Sequence, residues 1–281
     1  MTAAVASLPR LRNALSWWPA ILLGALVLVA ILAPWLAPMD PDRQNLLARL
    51  KAPGFEARGM TYILGSDELG RDVLSRVIYG TRISISVAVL SVLLSGVVGT
   101  AVGMAAAYLR GPTETILMRL VDIFLSIPAI LLAIITVAVL GPGFINIILV
   151  LALTRWPRYA RVAYGQTLSI ADRPFVTLAR AMGASTPRVL ALHILPNITG
   201  PLLVVATLEF GLMVLFEAGL SFLGLGVQPP TASWGAMLST GRNYIATAWW
   251  IATFPGLALF LLVLSANMIG DRLGDLIGKG R

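Results

Sequence analysis

Long stretches without a charged residue alternate with short polar islands, and this alternation limits what the chain can be. Residues 13–39 and 83–109 are uncharged runs of 27 residues each, long enough for a helix to cross about 30 Å of hydrocarbon with some tilt. Residues 123–154 make a third run of 32. That is too long for one crossing and too short for two, unless Arg119 before it and Arg155, Arg158 and Arg161 after it carry their guanidinium groups to the interface. Gly141, Pro142 and Gly143 interrupt the run, so the pattern predicts two helices, 117–140 and 143–163. Apolar segments at 198–226 and 246–270 complete an expected set of six spans. Trp17, Trp18, Trp35, Trp249 and Trp250 stand near span ends, where interfacial aromatic belts form.

Two of the polar islands carry patterns of their own. In residues 40–82, turn signals such as Asp40-Pro41 and Ala52-Pro53-Gly54 come first, and Leu69, Val73 and Val77 then recur at helical spacing. Residues 67–79 are expected to form an amphipathic helix along the membrane face, with a solvated charged linker as the alternative. Between the fourth and fifth spans, residues 172–197 read as a short helix, a glycine turn and a second helix that feeds into the membrane. Asp172 is placed to cap the first helix, Pro174 lies in its first turn, and Gly183 stands where a left-handed C-terminal residue belongs. Phe175, Leu178, Ala179 and Met182 share one face at i, i+3, i+4 and i+7, while Arg173, Thr177 and Arg180 share another. Thr186 is expected to cap the second helix, with Pro187 at its first position, and Pro196 to disturb it. A plain capped loop is one alternative. A DNA-binding helix-turn-helix is another, but Arg188 is nearly alone as a basic residue on the would-be recognition helix, and both ends are tethered between spans.

Composition supports the membrane reading: 58% of the 281 residues are hydrophobic, 12% are charged, and the mean hydropathy is +0.86. A formal charge of +8 could attract nucleic acid, so its distribution decides. With the N-terminus inside, 13 of the 21 Lys and Arg residues fall on inner segments and 8 on outer ones. Seven of those eight lie in 40–82, where six acids largely balance them. The bias places both termini and residues 172–197 in the cytoplasm. Without cysteine there is neither a disulfide nor a thiolate site. No phosphate-cradling G-x-x-x-x-G-K-[ST] string and no hydrolase motif occurs, so ATP must be handled elsewhere and no catalytic residue is expected. The single histidine, His193, fits a packing or capping role better than a metal site.

Within the spans, a few residue types stand out. Ala88, Ser91, Ser95, Gly99 and Gly103 form a stripe of small side chains; such stripes let helix backbones approach closely in lipid, and Gly99 and Gly103 are the expected packing contact. Asp122 lies one turn from Arg119 and is expected to pair with it. Glu209 and Glu217 are the only carboxylates deep in an expected span. Eight residues separate them by about 12 Å along a helix and about 80° around it. Both can therefore line one pathway, and interhelical hydrogen bonding or pairing with a partner subunit accounts for them equally well.

The string ARAMGAS at 179–185, a spacer, and HILPN at 193–197 resemble the cytoplasmic signature loop of bacterial ABC-importer permeases. Ala179, Gly183, Ile194, Leu195 and Pro196 match that pattern, and Thr177 and Leu178 stand where the family has its glutamate and first alanine. LGSDELGRDVLSRVIYGTRIS at 64–84 and LSFLGLGVQPPTASWG at 220–235 resemble the second permease of dipeptide, oligopeptide and nickel systems. The resemblance implies an all-α membrane protein with the six-span type I importer permease fold, a cytoplasmic coupling helix and a periplasmic interfacial helix. Residues 1–82 would hold the tail, the first span and a periplasmic segment, and 83–281 a permease core with the coupling loop at 164–197. The residues implied in ATPase coupling are Phe175, Thr177, Leu178, Ala179, Arg180, Ala181, Met182, Gly183 and Ala184. Implied partners are a homologous permease chain, two ABC ATPase subunits that use ATP and Mg, an extracytoplasmic solute-binding protein and membrane lipid, with no nucleic acid and no cofactor on this chain. The expected function is import of dipeptides or oligopeptides across the bacterial cytoplasmic (inner) membrane. Nickel or a metal chelate is the alternative cargo, and a membrane-anchored helix-turn-helix regulator is the alternative of a different class.

Overall fold

Prolines and caps decide where the apolar runs become helices. The computed structural model describes residues 17–57 and 59–279; expectations resting on residues 1–16, Arg58 and 280–281, among them Arg10, Arg12, Arg281 and the start of the first span, lie outside these. Helix α1 is Trp18–Ile31, and a single further turn, Ala33–Leu36, follows Leu32. Pro34 explains the break, because its ring clashes with the carbonyl four residues back. A small antiparallel hairpin, β1 (Phe55–Ala57) and β2 (Met60–Tyr62), pairs Phe55 with Tyr62.

Helix α2, Val73–Leu109, runs 37 residues without a break, about 55 Å at 1.5 Å per residue. Asp72 starts it: the carboxylate accepts the Ser75 N–H at 2.8 Å and the Ser75 hydroxyl at 2.7 Å, satisfying donors that a helix N-terminus leaves free. This corrects the expectation of a separate interfacial helix over 67–79. The stretch before Asp72 is a turn built on Asp67, whose Oδ1 accepts the N–H groups of Leu69 and Arg71 at 2.9 Å each. Val73 and Val77 recur at helical spacing because they pack with Met237, Trp250 and Ile251 in a local core.

Past a left-handed Arg110, α3 (Gly111–Ser126) and α4 (Ala129–Leu140) follow, bent by 92°. The expected single helix over 117–140 is therefore broken. Pro128 is the cause, since the residue before a proline is pushed out of the helical region and Ile127 is extended (φ −87°, ψ 127°). Helix α5, Phe144–Ala171, extends eight residues beyond the expected end at 163, so the connecting loop begins at Asp172. Helix α6 is Pro174–Ala181, and α7 runs Thr186–Phe222. Its first turns include a π segment, Leu190–Ile194, in which the Leu195 N–H donates to the Leu190 carbonyl five residues back. The disturbance expected at Pro196 takes this form, a widened turn that leaves the helix continuous. Helix α8 is Trp234–Arg242 and α9 is Trp250–Lys279.

Among the described residues, α2, α7 and residues Trp250–Ile277 of α9 are long and apolar enough to cross a membrane, and the bent α3–α4 pair passes the same test jointly. Helix α1 is apolar but only 14 residues long. Helix α5 carries Arg155, Arg158 and Arg161 and does not pass. The central core joins Ile85, Val87 and Ala88 of α2, Ile147, Ile148, Val150 and Leu151 of α5, Met213, Val214 and Leu220 of α7 and Leu262 of α9. Helix α2 lies most closely along α5, where a Cβ on Gly99 would overlap the Trp156 carbonyl and one on Gly103 the Ala160 carbonyl, so only glycine permits this approach.

The two ends of the bundle differ. At the hairpin end, the Trp250 indole N–H donates to the Ser66 carbonyl and that of Trp234 to the Val77 carbonyl, each at 3.0 Å. Arg76 reaches the carbonyls of Pro41 at 3.1 Å and Pro230 at 3.4 Å. Arg71 donates to Asp67 at 2.6 Å and to Glu68 at 3.0 Å; burial nonetheless pushes the Glu68 carboxyl above the usual carboxylate range. The opposite, loop end carries α6, the α2–α3 turn and the start of α7.

Candidate functional site

Helix α6 has two apolar faces, one packed into the bundle and one exposed. Val176 and Ala179 are buried. Val176 packs in a small core with Met104 of α2, Ala163 and Ile170 of α5, and Val189, Ile194 and Ile198 of α7, and Ala184 packs against the same core. Phe175, Leu178 and Met182 point away and are 38%, 62% and 82% exposed. The expected stripe thus divides: Ala179 turns inward with Val176, and the centre of that pair lies about 100° around the helix from the centre of the other three. Thr177, Arg180 and Ala181 are exposed, and Thr177 bonds only back to the Arg173 carbonyl at 3.4 Å.

Gly183 closes the helix with φ +83°. Its N–H donates to the Arg180 carbonyl at 2.9 Å and the Ala184 N–H to the Ala179 carbonyl at 3.0 Å, the paired bonds of a left-handed glycine stop. The expected caps shift by one residue. Arg173, not Asp172, is the N-cap of α6, and Ser185, not Thr186, precedes the next helix; neither side chain caps. Asp172 is instead taken by Arg110 at 2.6 Å, which holds the Arg110 proton more firmly than usual. Arg180 donates to the Tyr108 hydroxyl at 2.7 Å and lies 4.2 Å from that ring's centroid, and Tyr164 donates to Glu114. These ties join α6 and α5 to the end of α2 and the start of α3. They link residues far apart in sequence, and no local pattern announces them.

A second candidate lies between α5, α7 and α9. A cavity of about 690 Å³ is lined by Arg158, Arg161, Glu209, Asn267 and Asp271 among apolar neighbours. Glu209 is enclosed; Arg158 reaches its Oε1 at 3.3 Å and Arg155 its Oε2 at 3.7 Å. Arg155 is itself buried, its guanidinium 4.1 Å from the centroid of Phe216. Arg161 is bonded to Asp122. One expectation is corrected here: Asp122 pairs across helices with Arg161 rather than along its own helix with Arg119. The approach of α5 to α3 brings these two half-exposed side chains together. Glu217 faces elsewhere, fully buried and accepting the hydroxyls of Ser84 and Ser221 at 2.8 Å each.

Comparison with known proteins follows this geometry. Residues 99–281 match the family model described as the inner membrane component of binding-protein-dependent transport systems, and residues 11–53 match the N-terminal transmembrane domain of oligopeptide transport permease C. The chain is 43% identical over 251 residues to the di/tripeptide transport system permease protein DppC of Pseudomonas aeruginosa, covering 89% of this chain and 83% of that one. It is 43% identical to the dipeptide transport system permease protein DppC of Escherichia coli, with 88% and 83% covered. The probable D,D-dipeptide transport system permease protein DdpC of Escherichia coli is 40% identical, with 92% and 85% covered. In fold, the chain is similar to a chain of an inward-facing MetNI methionine ABC transporter structure (TM-score 0.57, 22% identity, 70% of this chain and 94% of that one).

Proposed function

The chain belongs to the family of inner membrane components of binding-protein-dependent transport systems, and from that premise we propose that it is the permease subunit of an ATP-driven importer that carries short peptides across the bacterial cytoplasmic membrane. It is a multi-pass membrane protein of mostly helical, permease-like fold and a transport subunit rather than an enzyme; such permeases act with an ATPase and a solute-binding protein. The relatives' dipeptide and di/tripeptide names favour peptide cargo over nickel or a metal chelate, and a transport subunit over a DNA-binding regulator.

The observation that carries the reading is the two-faced helix α6. Val176 and Ala179 anchor it in the bundle while Phe175, Leu178 and Met182 offer an apolar surface, the form expected of a knob that seats in a cleft on another subunit. The loop end faces the cytoplasm in this reading, and Arg110, Arg119, Arg173, Arg180 and Arg188 around it agree with the charge rule for that side. A homologous permease chain, two ATPase subunits and a solute-binding protein on the hairpin side complete the assembly. ATP and Mg belong to the ATPases, and this chain holds no cofactor. Closure of the ATPases pushes on α6, and the ties from Arg180 to Tyr108 and from Arg110 to Asp172 pass the push to α2 and α5, rocking the bundle between two packed states.

Uptake of radiolabelled alanyl-alanine by proteoliposomes holding the whole importer tests this. Gly183→Val forces a β-branched residue into a left-handed turn, so uptake should be lost while the chain stays in the membrane. Wild-type uptake by the variant would overturn the coupling role.

A further inference from the structure

Arg158 lies on α5, 13 residues before Ala171, and Glu209 lies on α7, 23 residues after Thr186 and 13 before Phe222. A charge facing hydrocarbon is costly, and Arg155, Arg158 and Arg161 keep α5 out of the set of helices apolar enough to cross a membrane. Yet the Arg158 and Arg161 side chains are 55% and 48% exposed. The wall they occupy is therefore built to meet water or a solute. Glu209 is the opposite case, with its side chain 3% exposed. Its Oε2 is buried without a hydrogen-bond partner, and the Arg155 guanidinium stands 3.7 Å from it. A buried carboxylate oxygen left in that state is ready for a donor that arrives and leaves.

We propose that this wall handles the charges of a zwitterionic peptide in transit, with Arg158 and Arg161 taking the terminal carboxylate and Glu209 and Asp271 the terminal ammonium. The inference rests on the importer reading and adds a cargo site on this chain. The lining holds two cations and two carboxylates, so it carries no net charge. A site for a bare divalent metal would need an acidic excess, and a site for an anion a basic one. The volume, about 690 Å³, is in the range that encloses a small organic solute.

The test uses the whole importer in proteoliposomes and the dipeptide alanyl-alanine. Arg158→Gln should lower uptake about tenfold or more, the loss expected for one charge-assisted hydrogen bond, while ATP hydrolysis stimulated by the peptide-loaded binding protein stays within about twofold of wild type; Arg158→Lys should recover part of the uptake. Because Arg158→Gln also removes a partner of Glu209, a second variant is needed. The chain lacks cysteine, so Val162→Cys gives a unique label on this subunit beside the cavity. A water-soluble maleimide should modify it and alanyl-alanine should slow that reaction, whereas N-acetyl-alanyl-alanine amide, which lacks both charges, should not. Leu28→Cys, on the outer face of α1, should stay unlabelled. No uptake by wild type would overturn the importer reading. Wild-type uptake with unaltered Arg158→Gln transport, or with no protection of Val162→Cys, would overturn this site and leave the importer reading standing.

Discussion

The hairpin end and the loop end use the same residue types for opposite purposes. At the hairpin end, Arg71 and Arg76 are buried and tie Asp67, Glu68 and the carbonyls of Pro41 and Pro230 into one network. At the loop end, Arg110 and Arg180 stay exposed and make one tie each, to Asp172 and Tyr108, while three large apolar side chains face outward. A desolvated network is stiff because every broken contact strands a polar group. A surface held by a few exposed ties yields to a partner at little cost. One end is made to stay and the other to be moved.

The sharpest way to break that comparison is Arg76→Ala, which strands the Pro41 and Pro230 carbonyls in a part-buried place and takes the second, more distant cation from Asp67, which Arg71 still holds. It should destabilise the chain by about 2–3 kcal/mol, seen as loss of folded complex in thermal unfolding; an unchanged midpoint would mean that the network holds nothing. Next comes the double variant Leu178→Asp with Met182→Asp. Both side chains are exposed, so stability should hold within about 0.5 kcal/mol, but recovery of the ATPase with this chain should fall by about 30-fold, the loss of a binding hot spot. Equal co-purification would remove α6 as the docking element. Arg180→Ala should reduce uptake by about two- to fivefold through its lost contact with Tyr108, without altering the thermal midpoint.

The smallest effect belongs to Glu68→Gln. Burial raises the Glu68 carboxyl, so its share of stability is full below the ordinary value of 4.5 and is lost as pH rises through the raised value. The variant should therefore gain on wild type from acid to pH 7, by under about 1 kcal/mol. A wild type that gains on the variant over that interval would reverse the sign of the burial effect.

Much of this was legible because it is local. Uncharged runs report spans, and Gly183 reports a left-handed stop whatever surrounds it. Pro128 was equally legible as a break, but the uniform apolarity around it masked the signal. The start of α2 was harder: Arg71 and Arg76 made 67–79 look like a surface helix, and only distant partners, Pro41, Pro230 and Trp250, make burying that stretch possible. The partners of the arginine trio of α5 were hidden for the same reason. Spacing of three places Arg155, Arg158 and Arg161 along one flank, yet the carboxylates that hold them, Asp122 and Glu209, are 39 or more residues away along the chain. A carboxylate deep in a neighbouring span was the available clue, and Glu209 had been read without its cations.

The glycine contact between α2 and α5 has a mechanical consequence. With no side chain between the backbones at Gly99 and Gly103, there is no soft layer to compress, and the two rods behave as one beam. Pivoting such a beam by about 5° displaces one tip of α2, about 55 Å long, by about 5 Å relative to the other. A modest shove at one side of the bilayer is thereby amplified into an aperture change at the far side.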